Sequence, residues 1–91
     1  MEIVRADIVL SDAGRDKGNL FFVVGVEGEY VLIADGKLRK NEDPKRKKRK
    51  HLSFVARLDT RTANKVRSGE NVTNGELRRE LAAYAAASEG E

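Results

Sequence analysis

Six consecutive cationic side chains form the part of the sequence most able to do chemistry, the segment Lys45-Arg46-Lys47-Lys48-Arg49-Lys50. The only proline, Pro44, precedes them, and the only histidine, His51, follows them. Like charges at this density repel one another, so the segment cannot enter an apolar core. Such a segment typically binds a polyanion, because each Lys or Arg that neutralises a phosphate releases condensed counterions. The pattern therefore predicts a phosphate-binding surface.

The charge of the chain is concentrated around this segment. Residues 37–51, which add Lys37, Arg39 and Lys40, hold nine Lys and Arg residues against two acidic residues, a net charge of +7. The rest of the chain holds nine basic and thirteen acidic residues, a net charge of −4. A strongly positive segment on a mildly acidic body is the electrostatic footprint of a nucleic-acid-binding protein.

The composition excludes several classes of site. The chain has no cysteine, which rules out disulfides, thiolate metal sites and thiol catalysis. His51 adjoins a run of cations, and their charge opposes the binding of a metal ion. Without paired carboxylates or a phosphate-loop motif, no nucleophile and base can be assigned. We therefore expect no enzymatic activity, no cofactor and no metal.

The first half of the chain predicts short strands that would position these cations. Apolar and polar residues alternate from Val4 to Leu10, which is typical of a half-buried strand. Residues 20–26 are almost continuously apolar, which favours a strand covered on both sides. After a short turn at residues 27–29, residues 30–34 predict the returning strand.

The next segment predicts the remaining strands. Asp35-Gly36 indicates a tight turn of the primed type, and Leu38 is expected to begin a short fourth strand. A fifth strand is predicted at residues 52–58, so that the basic loop at residues 37–51 would connect strands four and five. Five short strands joined by tight turns favour a small barrel, because closure removes exposed edges. We expect this barrel to span residues 1–59.

Residues 60–91 are predicted to form a helical C-terminal extension. Residues 60–69 could hold one or two helical turns, and Thr73 with Glu76 predicts a capping box at the start of a longer helix. Leu77, Leu81 and Tyr84 then recur at the spacing of one helical face. This face is expected to dock either on the barrel or on a partner protein.

The segment Gly14-Arg15-Asp16-Lys17-Gly18, between Asp7-Ile8-Val9-Leu10 and a second apolar strand, resembles a KOW motif. That motif is a strand, a glycine-punctuated loop with a basic residue, and a second strand. Leu32-Ile33-Ala34-Asp35-Gly36, followed by a basic loop and Lys50-His51-Leu52, is similar to bacterial KOW-domain RNA-binding proteins. Those proteins resemble KOW-bearing large-subunit ribosomal proteins of archaea and eukaryotes. Phe21 departs from the pattern, since many KOW motifs carry a further glycine there.

The resemblance implies a mainly β fold, a five-stranded SH3-like barrel followed by a C-terminal α-helix. It also implies a non-enzymatic protein that binds RNA, most simply ribosomal RNA, as a ribosome component, an assembly factor or a translation-associated factor. Its location would be cytoplasmic and ribosome-associated, without a membrane partner. Arg15 and Lys17 would contact RNA by resemblance, and the basic segment by charge as well. The candidate RNA-binding residues are Arg15, Lys17, Lys37, Arg39, Lys40, Lys45, Arg46, Lys47, Lys48, Arg49, Lys50 and His51.

Other interpretations of the same residues stay open. The C-terminal helix or a barrel groove could bind a ribosomal or transcription protein, and charge alone does not distinguish RNA from duplex DNA. The basic segment is also similar to a nuclear-localisation signal, or could act as a solubilising loop. Aromatic stacking platforms are usually interleaved with basic residues. The aromatic side chains here lie within apolar runs, so we expect core packing for Phe21, Phe22, Tyr30 and Phe54.

Overall fold

The structure, a computed structural model, describes residues 2–89. One antiparallel sheet of order β4-β3-β2-β1-β5 is followed by two helices. This confirms the predicted mainly β fold class, a small barrel-like sheet with helices at its C-terminal end. The predicted helical extension reaches residue 91, and its last two residues lie outside the described range. The elements are β1 (Asp7–Ser11), β2 (Leu20–Glu27), β3 (Tyr30–Ala34), β4 (Lys45–Lys48), a 3₁₀ turn (Arg49–His51), β5 (Leu52–Arg57), α1 (Arg61–Ser68) and α2 (Asn74–Glu89).

Both faces of the sheet carry apolar side chains that are covered. Successive residues of a strand point to opposite faces. Ile8 and Phe22 therefore lie in one cluster, and their neighbours Val9 and Phe21 lie in the other. The first, the helix-side cluster, also contains residues of α1 and α2. The second, the inner cluster, is formed by Ile3, Val9, Phe21, Val23, Val31, Ile33 and Leu52.

This two-sided burial confirms one strand prediction and corrects another. β2 is covered on both faces, as its continuous apolar run predicts. β1 was predicted to be half-buried, but Asp7, Ile8, Val9 and Ser11 are all buried. The alternation was misleading because β1 lies between β2 and β5 in the sheet, with a layer of side chains on each face.

Each helix begins after a capping residue, and the cap of α2 was predicted. Thr60 caps α1 by accepting from the Ala63 N–H at 3.1 Å. The capping box of α2 is formed: Thr73 Oγ1 accepts from the Glu76 N–H at 3.1 Å, and Glu76 Oε1 accepts from the Thr73 N–H at 3.0 Å. Leu77 and Leu81 are buried in the helix-side cluster, so this helical face docks on the chain's own sheet. Neither described helix is long and apolar enough to cross a bilayer.

The fourth strand differs from its prediction. It begins at Lys45, whereas Leu38 is 62% exposed in the preceding connection. The basic segment is therefore not a loop between strands four and five, since its first four residues are β4 itself. Lysine is depleted in strands, and that preference hid the strand in the sequence. β4 tolerates these residues because it is an edge strand, where charged side chains reach water and discourage pairing with another sheet.

The connection before β4 is also longer than predicted. Asp35-Gly36 does not form a tight two-residue turn but opens the connection of residues 35–44. The Asp35 carboxylate accepts from the backbone N–H groups of Lys37 and Arg39, both at 2.9 Å. These bonds fold the start of the connection and bring Arg39 back toward the glycine-bearing segment.

Candidate nucleic-acid interface

β4 divides its cations between the two faces of the sheet. Lys45 stands opposite Ile33 and Lys47 opposite Val31 in the antiparallel register. Directly opposed residues share a face, and both apolar partners belong to the inner cluster. Lys45 and Lys47 therefore lie on the face of β4 that adjoins the inner cluster.

Arg46 and Lys48 occupy the other face of β4. The Arg46 guanidinium carbon lies 3.7 Å from the centre of the Tyr30 ring, the geometry of a cation–π contact. Its Nε also lies 3.6 Å from a carboxylate oxygen of Glu27. Tyr30, predicted to be a core residue, is instead half-buried on this charged face. Phe21 and Phe22 are fully buried as predicted.

The Lys47 side chain is held by two hydrogen bonds. Its Nζ donates to Ser11 Oγ at 2.6 Å and to the backbone carbonyl of Ala13 at 2.5 Å. Both acceptors are neutral, and Ser11 is fully buried at the end of β1. The side chain thus spans from the edge strand to the first residues of the β1–β2 connection.

An open cleft of about 350 Å³ lies between the β1–β2 connection and β4. We call it the basic cleft. Its lining residues are Ala13, Gly14, Arg15, Asp16, Arg39, Lys45, Lys47 and His51. This lining brings the glycine-bearing loop and the basic segment together at one cleft. Five of the predicted site residues meet here: Arg15, Arg39, Lys45, Lys47 and His51.

The basic cleft has a strong excess of positive charge. Asp16 supplies the one carboxylate among its lining residues, and that side chain is only 7% exposed. Arg39 donates to it at 3.2 Å, so the two charges offset each other. The ammonium and guanidinium groups of Arg15, Lys45 and Lys47 are left without a neutralising carboxylate among the described residues.

The other predicted residues lie outside the basic cleft. Lys48, Arg49 and Lys50 line a second depression beside the β2–β3 turn, where the Arg49 N–H donates to the Glu29 carbonyl at 2.8 Å. Lys37 lines a different cleft, against α2. Lys17 and Lys40 are exposed. Of the twelve predicted RNA-binding residues, five therefore line the basic cleft and seven lie outside it.

Arg57 has a structural role that the sequence pattern did not indicate. This side chain makes a bidentate pair with the fully buried carboxylate of Asp7, at 2.8 and 3.0 Å. The hydrogen bond and charge of Asp7 raise the pKa of Arg57 above its ordinary value. Arg57 therefore has a structural role, because its ion pair with Asp7 links β5 to the start of β1. Its position in the fifth strand was predicted, but its buried partner was not, because the alternation placed Asp7 toward solvent.

The described residues offer no metal site, since no three His, Asp or Glu side chains within residues 2–89 are grouped to hold an ion.

Comparison with known proteins adds no relative, because no protein-family model matches the chain and no curated protein matches it significantly. The chain is thus described by its geometry: a barrel-like sheet whose cationic edge strand lines a basic cleft.

Proposed function

We propose that this protein binds RNA without catalysing a reaction, through β4, the 3₁₀ turn and the β1–β2 connection. The observation that carries the proposal is the basic cleft, where cations from two separate segments meet and the one lining carboxylate is already paired. Clustered like charge opposes folding unless a partner neutralises it. A phosphate backbone supplies that neutralisation over several contacts at once.

Structured RNA fits this surface better than a short sequence motif. Phosphate contacts fix position and orientation but carry little base information. Asn41, a possible base-reading side chain, donates to the Val72 carbonyl at 3.0 Å and is thus used within the fold. In this proposal the partner is ribosomal RNA or a similar folded RNA, and the protein is cytoplasmic and ribosome-associated. The glycine-bearing connection between β1 and β2 supports the resemblance to KOW units.

The proposal is tested by replacing cationic side chains that do not contribute to the fold. Lys45, Lys48 and Lys50 are exposed, and their side chains make no hydrogen bond or ion pair with the described residues. Changing all three to glutamine keeps a polar side chain at each position and removes three charges. Alanine across the whole segment would be a poorer test, because Arg46 and Lys47 make contacts that support the fold.

The matched control removes the same charge elsewhere, with Arg5, Arg61 and Arg79, all exposed, changed to glutamine. Binding to a fluorescent RNA hairpin is measured by anisotropy over a range of salt concentrations. Each lost phosphate contact lowers the slope of log affinity against log salt by roughly 0.7–0.9. We therefore expect the slope of the β4 variant to fall by about 2–3, and that of the control by much less.

Equal losses in the two variants would contradict the proposed surface. A B-form DNA duplex of the same length is the competitor in the same assay. Tighter binding to the DNA duplex than to the RNA hairpin would replace RNA with duplex DNA as the partner.

A further inference from the structure

The Lys47 ammonium is held in place by neutral hydrogen-bond acceptors. Two of its three N–H groups are used by Ser11 Oγ and the Ala13 carbonyl. Neither acceptor carries a charge, and no carboxylate of residues 2–89 forms an ion pair with it. This half-buried ammonium therefore has one N–H left for a further acceptor and no carboxylate partner among the described residues.

The backbone beside this ammonium also lacks acceptors. A Cβ placed on Gly14 would lie 3.6 Å from Lys47 Nζ, so the ammonium sits close to the backbone there. The N–H groups of Gly14, Arg15 and Asp16 donate to no acceptor among the described residues. Gly14 has a φ of +76°, which turns the chain within this connection. Successive unpaired backbone N–H groups at such a turn form the concave nests that bind anions.

We propose that the basic cleft is a subsite for one phosphate group, with Lys47 as its fixed cation and the 14–16 backbone as its N–H donors. Arg15 and Lys45 line the same cleft and add long-range attraction from flexible stems. The volume of about 350 Å³ corresponds to about twelve water molecules at ~30 Å³ each, which is enough for a phosphate and part of its sugar. This inference rests on the proposed function, in that the phosphate belongs to an internal phosphodiester of the bound RNA.

An internal phosphodiester is the source that the geometry favours. The cleft is open to solvent, and Arg15 and Lys45 line it beside Lys47. An open cleft lets a nucleic-acid strand continue in both directions from a phosphate that is bound in it. A closed pocket would instead have favoured a terminal phosphate.

The test uses the full chain and inorganic phosphate as the probe. Amide NMR spectra are recorded during titration with phosphate, with chloride at equal ionic strength as the reference. Lys47→Met is compared with Lys48→Met, which removes the same charge one residue away on the opposite face of β4. We expect saturable shifts at residues 14–16 in the wild type and in Lys48→Met. We expect binding about tenfold weaker in Lys47→Met, from the loss of one charge-assisted hydrogen bond.

A second variant covers the case in which Lys47→Met does not fold. Arg15→Gln with Lys45→Gln leaves the Lys47 contacts in place, since neither side chain bonds to a described residue. We expect this variant to weaken phosphate binding while the amides of residues 14–16 still respond. Equal weakening by Lys47→Met and Lys48→Met, or shifts spread evenly over all basic residues, would overturn the subsite.

RNA binding by the same variants separates this inference from the proposed function. If the wild type binds RNA and Lys47→Met binds it as well as Lys48→Met does, the subsite is wrong and RNA binding stands. If phosphate shifts the amide signals of residues 14–16 but no RNA binds, the proposed function is wrong and an anion site remains.

An RNA with a 5′-phosphate is also compared with its 5′-hydroxyl form. Equal affinity supports an internal phosphodiester, and tighter binding of the 5′-phosphate form overturns that assignment.

Discussion

At the residue scale, cationic side chains have different roles in this protein. Arg57 and Arg39 are paired with the buried carboxylates of Asp7 and Asp16, and they stabilise the fold. Lys47 is positioned by neutral groups and keeps its charge available. The sequence shows only that all three are cations. The role of each cation depends on the acceptor that it contacts. These acceptors lie far away in the chain, so the local spacing of residues in the sequence does not indicate the contacts.

The Lys65–Glu76 pair gives a prediction of pH dependence at this scale. Lys65 donates to Glu76 Oε2 at 2.8 Å, and the Thr73 N–H donates to Oε1 at 3.0 Å. These bonds lower the pKa of Glu76 from its ordinary value of 4.5 to about 2. Because the folded state favours the ionised carboxylate, the pair stabilises the protein above about pH 4.5. That stabilisation is lost as the pH falls from 4.5 to about 2.

Urea unfolding of the wild type and of Glu76→Gln, at several pH values from 6 to 2, measures this effect. The free-energy difference between the two proteins should be largest near pH 6 and close progressively below pH 4.5. A difference that stays constant over this range would show that the carboxylate charge does not contribute.

At the element scale, the connection of residues 35–44 is held against α2. Arg78 donates to the Gly36 carbonyl at 2.6 Å, and the Asn74 side chain accepts from the Asn41 N–H at 2.7 Å. Gly36 has a φ of +78°, and a Cβ there would lie 2.2 Å from the backbone oxygen of Asn74. A glycine is therefore required at this contact for space as well as for conformation.

Gly36→Ala should consequently destabilise the protein more than Gly28→Ala does. Gly28 also has a positive φ, of +62°, but nothing lies within 4 Å of an added Cβ. We expect a loss of about 1 kcal/mol for Gly28→Ala from backbone strain alone. Gly36→Ala should cost a further 1–3 kcal/mol or so, because backbone atoms must move apart. Chemical denaturation measures both, and similar losses would contradict the close approach of the connection to α2.

The elements also show how far the sequence could predict the fold. β2, β3, β5 and the α2 capping box were predictable because apolar periodicity and capping residues are local signals. β4 was not predictable, because a strand of four cations carries no apolar pattern and is held by its register with β3. The β1–β2 connection and the basic segment both line the basic cleft. Their shared cleft, and the reach of Lys47 across it, depend on that hidden strand.

At the scale of the whole molecule, the proposed function depends on where the charges lie rather than on their sum. The chain has a net charge of only +3, which by itself would give weak attraction to RNA. Surface charges further apart than about 10 Å are largely screened at 0.1 M salt. A bound strand would therefore be influenced mainly by the cations around the basic cleft and β4, and little by the acidic body.

A variant that keeps the net charge tests this dependence. This variant changes three lysines to glutamine, Lys45, Lys48 and Lys50. It also changes three exposed acidic residues to glutamine, Glu2, Asp59 and Glu70. The net charge stays at +3, but the positive surface loses three cations. We expect RNA affinity to fall, and the salt slope to decrease by about 2–3, much as when the three lysines alone are changed. Changing only the three acidic residues raises the net charge and should leave the slope unchanged. If affinity instead followed net charge across these variants, binding would arise from general electrostatic attraction, and neither β4 nor the basic cleft would define the interface.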